Sequence, residues 1–487
     1  MSQPIAGVLM HITSLPSPYS CGSLGINAHR FLDWMQESGL KLWQTLPLHP
    51  IDGAMSPYSS TSAFAGAPHL IDLDTLMEQG WLTAFELAGS SKQHWVSASH
   101  ITNWILPRIE LAAERFAEAH PERIEAFIEQ EHWVEEWAHY QCLLKQLGVY
   151  AWQDFPPALR DRDPKALQES RRRLQSEMYI QIAIQIFFFE QWDALKAKAS
   201  SLGITLVGDL PIFVSQNGVD TWTHRHLFHL DKDGYPNPVA GVPPDVFSET
   251  GQHWGNPHYN WDAHQSEGFA WWIQRLEAEL RLTDQIRIDH FRGFAAAWAI
   301  PKSAGRDARK GEWVPAKGLE LFTALREHFG NDLPFFAEDL GIITEDVNAL
   351  RTSNNLMGMK ILQFAFTAND HIYMPHMYDS ENWVCYTGTH DNNTIIGWFE
   401  AAPESERNRF MAYTQSDGSQ PNWAMLSLAL SSKARWVIIP MQDFIDLDAS
   451  GRMNTPGQAD KQWGWRLQVL PWDVCERIRL TIQHFNR

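Results

Sequence analysis

Two kinds of hydrophobic pattern alternate along most of the chain. Short apolar runs bounded by turn residues are typical of buried strands, and longer segments with apolar residues every three or four positions are typical of helices. The pattern predicts strands at residues 7–12, 41–46, 204–214, 285–294, 334–341, 359–366, 382–387 and 435–441. Strand-then-helix units in this number favour an α/β fold of the (β/α)8 TIM barrel class over an open doubly wound sheet.

Two regions interrupt this alternation. Residues 71–175 mix charged and apolar residues at helical spacing without a strand-like run, which predicts a helical insertion subdomain. We therefore expect residues 1–70 and 176–487 to form the two parts of the barrel. Residues 217–260 lack regular periodicity and are dense in Trp, Pro, Gly and Asn. Long loops inside compact domains are often functional, so we interpret residues 215–262 as a lid-like insertion that handles substrate.

Composition narrows the classes of partner and compartment. The chain has a formal net charge of −19, which disfavours nucleic acids and anionic membranes because their phosphates would be repelled. It shows neither the pattern of a secretion signal nor a run of about 18 apolar residues. The four cysteines lie far apart without metal-ligand spacing, which is typical of reduced thiols in a cytoplasmic protein. Neither a G-x-G-x-x-G motif nor a P-loop is present, which further disfavours the doubly wound alternative.

The segment QIRIDHFRGF, residues 285–294, carries the first candidate for catalysis. Because side chains alternate along a strand, Arg287 and Asp289 should point to the same face, opposite Ile286 and Ile288. A neighbouring guanidinium favours the ionised form of a carboxyl group. An active site could present a permanently charged aspartate in this way, although an Arg-x-Asp pair taken alone is more often a structural ion pair.

Acidic residues recur at the carboxyl ends of the predicted strands, at Asp209, Asp289, Glu338 and Asp391. Barrel active sites lie at that end, so these side chains should converge on one mouth. Converging carboxylates suit either a metal ion or paired acid–base chemistry. Metal clusters usually include His at ligand spacing, whereas this mouth is rimmed by aromatic residues that can stack on sugar rings, namely Tyr58, Phe247 and Trp254. We therefore favour carbohydrate chemistry and keep a metal-dependent enzyme as the alternative.

The surroundings of the acids suggest a role for each. In a retaining glycosidase one carboxylate attacks the anomeric carbon and another, about 5–5.5 Å away, protonates the leaving oxygen. Asp289, beside Arg287, should stay ionised and act as the nucleophile. Glu338 follows apolar residues and lies near other carboxylates, so its pKa should be raised, as a general acid and base requires. Asp391 should support the oxocarbenium-like transition state, with His390 and Arg287 as donors to hydroxyls of the same ring.

The blocks GDLPIFV, RIDHFRGF, FFAEDLG and GTHDNNT resemble the signature strands of the 4-α-glucanotransferases of glycoside hydrolase family 77, in the α-amylase superfamily. The likeness extends over nearly the whole chain, including RMNTPG and WGWR. It implies retaining transfer of α-1,4-glucan segments between malto-oligosaccharides, or glucans derived from starch or glycogen, without nucleotide or metal. It also implies Asp289 as nucleophile, Glu338 as acid/base and Asp391 as transition-state stabiliser. Positions that match donor and acceptor subsites are Tyr58, Asp209, Trp254, Asn256, Arg287, His390 and Asn454.

Two departures from the family pattern concern the acceptor side. The family usually has Tyr where this chain has Val246, next to Phe247, and the segment after the sixth predicted strand, FTANDHIYMPHMY, is shorter and less acidic. Acceptor preference, product length and cyclisation therefore stay open, as does the oligomeric state. A hydrolase of the same superfamily is the nearest alternative function, since its chemistry is identical up to the glycosyl-enzyme. A non-catalytic glucan-binding barrel is a more distant one.

Overall fold

The computed structural model describes residues 4–52, 55–90, 93–244, 248–458 and 462–487. Its strands are β1 (Ile5–Leu9), β2 (Leu42–Gln44), β3 (Thr205–Leu210), β4 (Val239–Val242), β5 (Gln252–Pro257), β6 (Gln285–Ile288), β7 (Ala296–Ile300), β8 (Glu312–Pro315), β9 (Phe335–Ala337), β10 (Gly358–Ile361), β11 (Trp383–Tyr386) and β12 (Trp436–Pro440). Eight of these form one sheet in the order β10-β11-β12-β1-β2-β3-β6-β9. Each strand of this sheet overlaps one of the strands predicted from the sequence.

The eight-stranded sheet curls into a (β/α)8 barrel, as predicted. Its neighbouring strands all pair in parallel. A parallel bridge between Phe336 of β9 and Met357, next to β10, brings the two ends of the order together. The Ala337 amide also donates to the Met357 carbonyl at 2.9 Å. The observed strands are shorter than the predicted ones because the residues at their carboxyl ends leave the sheet and enter the loops of the site.

Helices surround the barrel and fill the connections. The first six are α1 (Ile26–Ser38), α2 (Leu73–Glu78), α3 (Ala98–His100), α4 (Leu106–Ala119), α5 (Pro121–Gln130) and α6 (Val134–Leu147). They are followed by α7 (Pro157–Arg160), α8 (Pro164–Arg173), α9 (Gln175–Ser201), α10 (Val219–Thr223), α11 (Trp261–Ser266) and α12 (Ala270–Leu282). The remaining ones are α13 (Gly318–Phe329), α14 (Glu345–Ser353), α15 (Ile395–Ala401), α16 (Glu404–Thr414), α17 (Pro421–Ser431), α18 (Met441–Phe444) and α19 (Cys475–His484). Within the described ranges, no helix has the length and apolarity needed to cross a membrane.

The long helix α9 anchors the loop that carries Tyr58 to the barrel. Most of its apolar residues are buried. The Gln185 side chain accepts a hydrogen bond from the Gly66 amide at 2.8 Å and donates to the Gly66 carbonyl at 3.0 Å. A Cβ atom at Gly66 would lie 2.0 Å from the Phe188 ring, so the loop can approach α9 this closely because position 66 has no side chain. These contacts fix the end of the loop and thereby the approach of Tyr58 to the site.

Two sequence predictions about the connections are wrong. The region 217–260 is not irregular throughout, since β4 and β5 pair within it and join β7 and β8 in an antiparallel sheet of order β5-β4-β7-β8. This sheet is only partly buried, so its strands lack the alternation that marks a strand packed on a core. In addition, β10 is followed by 3-10 turns at Leu362–Thr367 and Pro375–Met377 instead of an α-helix.

Candidate active site

A cleft of about 540 Å³ opens at the carboxyl ends of the barrel strands. The three proposed catalytic carboxylates, those of Asp289, Glu338 and Asp391, all line it. Most of the other predicted site residues line the same cleft, namely Tyr58, Trp254, Asn256, Arg287, His390 and Asn454. Asp209 lies fully buried below them, and Phe247, like Val246, lies outside the described residues. The predicted convergence of the strand-end acids is therefore found.

Arg287 connects two of the acids at the base of the cleft. Its Nη1 atom lies 2.6 and 2.8 Å from the two carboxylate oxygens of Asp209 and 3.0 Å from Oδ1 of Asp289. Arg287 and Asp289 therefore point the same way from the end of β6, as the alternation predicts. The guanidinium thus lies between two carboxylates and bonds to both. The pair is part of the cleft and not an isolated surface ion pair.

Asp209 and Tyr58 form the layer beneath the substrate space. The Tyr58 hydroxyl donates to Oδ2 of Asp209 at 2.7 Å, and its ring stacks on His390 with centroids 5.1 Å apart. Burial raises the pKa of Asp209 to about 6, and the positive charge of Arg287 opposes this shift. Asp209 is therefore still ionised at neutral pH, so it accepts both hydrogen bonds and keeps Arg287 and Tyr58 in place.

Glu338 has the environment expected of a general acid. Backbone amides of His290 and Leu340 donate to its two carboxyl oxygens at 2.7 and 2.8 Å. Burial raises the pKa of Glu338 to about 7. The positive charge of Arg287 opposes this shift, and the negative charge of Asp289 makes a smaller upward contribution. The predicted upward shift is confirmed. The carboxyl group is held by backbone atoms and can exchange a proton near neutral pH.

Asp391 has the opposite electrostatic environment. Its carboxylate lies 3.4 Å from Nε2 of His390 and accepts a hydrogen bond of 2.6 Å from the Asn454 amide nitrogen. Burial opposes ionisation, but the charge and hydrogen bond of His390 outweigh it and lower the pKa of Asp391 to about 2. Asp391 in turn raises the pKa of His390 despite its burial. Asp391 is therefore an anion at neutral and mildly acidic pH.

Several contacts within the site were not expected from the sequence. Arg452 donates to the backbone carbonyls of Asp391 and Asn454 at 2.6 and 2.7 Å. Asn454, expected along the subsites, uses its amide nitrogen to hold Asp391 and also lines the cleft. The His290 amide that binds Glu338 depends on a left-handed residue with φ of 50°. The segments RMNTPG and RIDHFRGF were recognised as motifs in the sequence. Their contacts could not be predicted from it, because they involve backbone donors or residues about 60 positions apart, and neither leaves a local sequence pattern.

The far side of the cleft is formed by the antiparallel sheet. Trp254, on β5, is 37% exposed, and the edge of its indole meets the ring of His290 with centroids 4.8 Å apart. Asn256, also on β5, is fixed by a 2.8 Å hydrogen bond from its side chain to the Val214 carbonyl. Both predicted residues therefore face the acids from a separate structural unit. Among the described residues, no group of three or more His, Cys, Asp or Glu side chains is arranged to hold a metal ion.

Comparisons with known proteins show relatives that match almost the whole chain. The sequence model of the 4-alpha-glucanotransferase family, glycoside hydrolase family 77, matches residues 10–471. The 4-alpha-glucanotransferase of Thermus thermophilus is 44% identical over 481 residues, which cover 96% of this chain and 95% of that protein. The corresponding protein of Aquifex aeolicus is 40% identical over 488 residues, covering 99% of both.

Similarity at the level of structure is equally extensive. The amylomaltase of Streptococcus agalactiae, solved in complex with acarbose, superposes with a TM-score of 0.96 at 36% identity and covers 100% of both chains. A Corynebacterium glutamicum amylomaltase, 16% identical, shares the fold with a TM-score of 0.77 over 99% of this chain and 75% of that one. Together with the match over residues 10–471, these relationships place the chain in the 4-alpha-glucanotransferase family, glycoside hydrolase family 77.

Proposed function

We propose that this 4-α-glucanotransferase transfers α-1,4-glucan segments between malto-oligosaccharides by a retaining double displacement. The observation that carries the proposal is one cleft in which three carboxylates have different electrostatic environments. Asp289 is paired with Arg287, burial raises the pKa of Glu338 to about 7, and His390 lowers the pKa of Asp391 to about 2. Two carboxyl groups with separate protonation states are what acid-assisted nucleophilic displacement requires.

In the first step, Asp289 attacks the anomeric carbon of the donor sugar. The bond between this carbon and the glycosidic oxygen breaks as the bond to a carboxylate oxygen of Asp289 forms. Glu338 gives its proton to the departing oxygen, so the leaving chain departs with a neutral 4-hydroxyl. Positive charge develops on the sugar ring, and the anion of Asp391 faces it across the cleft. Arg287 and His390 are donors placed for the ring hydroxyls.

In the second step, the 4-hydroxyl of an acceptor glucan attacks the same carbon. Glu338, now ionised, takes the hydroxyl proton, and the bond to Asp289 breaks, which regenerates both carboxyl groups. Two inversions at one carbon retain the α configuration. Attack by water in place of the acceptor would give hydrolysis. The ratio of transfer to hydrolysis therefore depends on how well a bound acceptor sugar excludes water from the glycosyl-enzyme. Trp254 and Asn256, on the antiparallel sheet, are placed to hold that acceptor.

The partners and compartment follow from the same features. We expect linear malto-oligosaccharides and α-1,4-glucans derived from starch or glycogen as substrates, because a neutral ligand fits both an acidic chain and an open cleft. All four cysteines are buried free thiols in the structure. Free thiols are typical of proteins in a reducing compartment, which agrees with action in the cytoplasm.

Incubation with maltotriose alone tests the proposed function. A transferase produces a ladder of longer and shorter oligosaccharides together with glucose, while the total number of reducing ends stays constant. A hydrolase raises the number of reducing ends without forming longer products. A pure binding protein changes neither. Chromatography of the products combined with a reducing-end assay therefore distinguishes all three functions in one experiment.

The pH dependence of kcat/KM should reveal Glu338. The general acid must be protonated in the free enzyme, and burial raises its pKa to about 7. We therefore expect kcat/KM for maltotriose to fall about tenfold per pH unit above that value. With maltosyl fluoride as donor, this basic limb should disappear, because fluoride departs without a proton. A kcat/KM for maltotriose that stays flat to pH 9 would contradict the assignment.

Removing the indole of Trp254 should weaken substrate binding more than catalysis. Stacking of an aromatic ring is worth about 1 kcal/mol, so Trp254→Ala should raise KM for maltotriose about fivefold while kcat changes little. The matched variant Trp254→Phe keeps a flat ring and should raise KM less. Initial rates over a range of maltotriose concentrations measure both constants. An unchanged KM in the Ala variant would exclude Trp254 from the binding surface.

A further inference from the structure

The loop between β11 and α15, residues 387–394, carries both His390 and Asp391. Within the loop, Oδ1 of Asn392 accepts hydrogen bonds from the Thr389 amide at 2.9 Å and the Thr389 hydroxyl at 3.0 Å. These bonds define the shape of the loop. They do not fix its position relative to the barrel.

Asp443 bridges the two ends of this loop. It lies in α18, the short helix after β12, and is 2% exposed. Its Oδ2 atom accepts a 3.0 Å hydrogen bond from the Thr387 hydroxyl, and Oδ1 accepts a 2.8 Å bond from the Ile395 amide. Thr387 is the first residue after β11, and Ile395 is the first residue of α15. One carboxyl group therefore sets the distance between the two ends of the loop.

Other contacts hold the middle of the loop, since Arg452 donates to the Asp391 carbonyl at 2.6 Å and the Gln363 side chain donates to the Asn393 carbonyl at 2.7 Å. The two hydrogen bonds of Asp443 act at its ends. Asp443 is itself fixed from outside, because the amide of the buried Asn422 donates to its backbone carbonyl at 3.1 Å. The bridge thus connects the loop to a rigid part of the barrel.

We infer that Asp443 is a positioning residue for the transfer reaction. By holding the ends of the loop, it keeps the carboxylate of Asp391 directed at the reacting sugar. The inference rests on the proposed role of Asp391. Burial raises the pKa of Asp443 to about 7. The protonated, neutral carboxyl group of Asp443 can make the same two contacts. Its Oδ2 hydroxyl would then donate to the Thr387 hydroxyl, while Oδ1 still accepts from the Ile395 amide. The contact geometry, and not the charge of Asp443, is what the loop requires.

Substitutions at Asp443 separate geometry from charge. Asp443→Ala removes both hydrogen bonds and should lower kcat for maltotriose about 10- to 100-fold with KM within about twofold, because small misplacement of a catalytic group costs rate. Asp443→Asn keeps an acceptor for Ile395 and a donor for Thr387, so it should restore kcat to within about threefold of wild type. Asp448→Ala is the matched control, since Asp448 follows in the same connection and bonds Ser450. It should leave kcat unchanged.

A double-mutant cycle tests whether Asp443 acts through Asp391. With maltosyl fluoride as donor, which keeps weak variants measurable, Asp443→Ala should lower kcat strongly in the wild-type background. In an Asp391→Asn background, the same substitution should lower it less than about threefold, because the group being positioned has lost its charge. An equal loss in both backgrounds would overturn the inference. High activity of Asp391→Asn alone would instead overturn the proposed role of Asp391.

A second variant keeps the inference testable if Asp443→Ala does not fold. Thr387→Val has the same shape as threonine and removes one of the two hydrogen bonds, so kcat should fall about tenfold with KM again nearly constant. Its thermal unfolding midpoint, compared with that of Asp448→Ala, controls for a general loss of stability. A folded Thr387→Val variant with full kcat, or one whose KM rises in proportion as kcat falls, would overturn the inference.

Discussion

Asp289→Asn should abolish transfer, with a fall in kcat on the order of 10⁴-fold or more and no oligosaccharide ladder from maltotriose. A neutral amide cannot form the glycosyl-enzyme. Glucan binding should persist, because the lining of the cleft is otherwise intact. Arg287 keeps its two contacts of 2.6 and 2.8 Å to Asp209 in this variant, so the base of the site should also remain ordered.

A matched substitution shows whether this loss is specific. Asp262→Asn removes the same charge from a side chain that is 87% exposed and paired with Lys317 on the surface. It should retain full activity. Product chromatography measures transfer, and thermal unfolding verifies that both variants are folded. Near-full activity of Asp289→Asn would remove the nucleophile assignment and, with it, the double displacement.

Glu338→Gln should separate the two steps of the reaction. With maltotriose, transfer should fall on the order of 10³-fold or more, because the 4-hydroxyl of a sugar is a poor leaving group without a proton. With maltosyl fluoride, the first step needs no acid and should remain fast. The second step still lacks its base, so the glycosyl-enzyme should accumulate. Intact-mass spectrometry should show one added maltosyl group, and peptide mapping should place it on Asp289.

Azide provides the control for this assignment. Glu338→Ala creates space beside the glycosyl-enzyme, and azide is a nucleophile that needs no base. Added azide should restore turnover of maltosyl fluoride and give maltosyl azide of α configuration, as a second inversion at the same carbon requires. An azide product of β configuration, or transfer from maltotriose that survives in Glu338→Gln, would contradict the acid/base role.

The fold and the three carboxylates could be predicted from the sequence because their signals are local. A buried parallel strand is a short apolar run, so eight such runs were visible, and each ends where barrel active sites lie. The alternation of side chains along β6 placed Arg287 and Asp289 on one face, which the 3.0 Å contact confirms. The upward pKa shift of Glu338 followed from apolar neighbours and nearby acids. These inferences need a strand and its end, but no knowledge of distant segments.

The tertiary structure decided what fixes those carboxylates. Asn454 reaches Asp391, and Asp443 reaches Thr387, over separations of 63 and 56 residues. One amide that binds Glu338 belongs to His290, 48 residues away, which has a left-handed backbone conformation. The sheet that carries Trp254 is half exposed and has no periodic pattern. Local sequence determines which side chains lie at the end of a strand. Closure of the barrel determines which distant donors contact them, and hydrophobic periodicity carries no information about that packing.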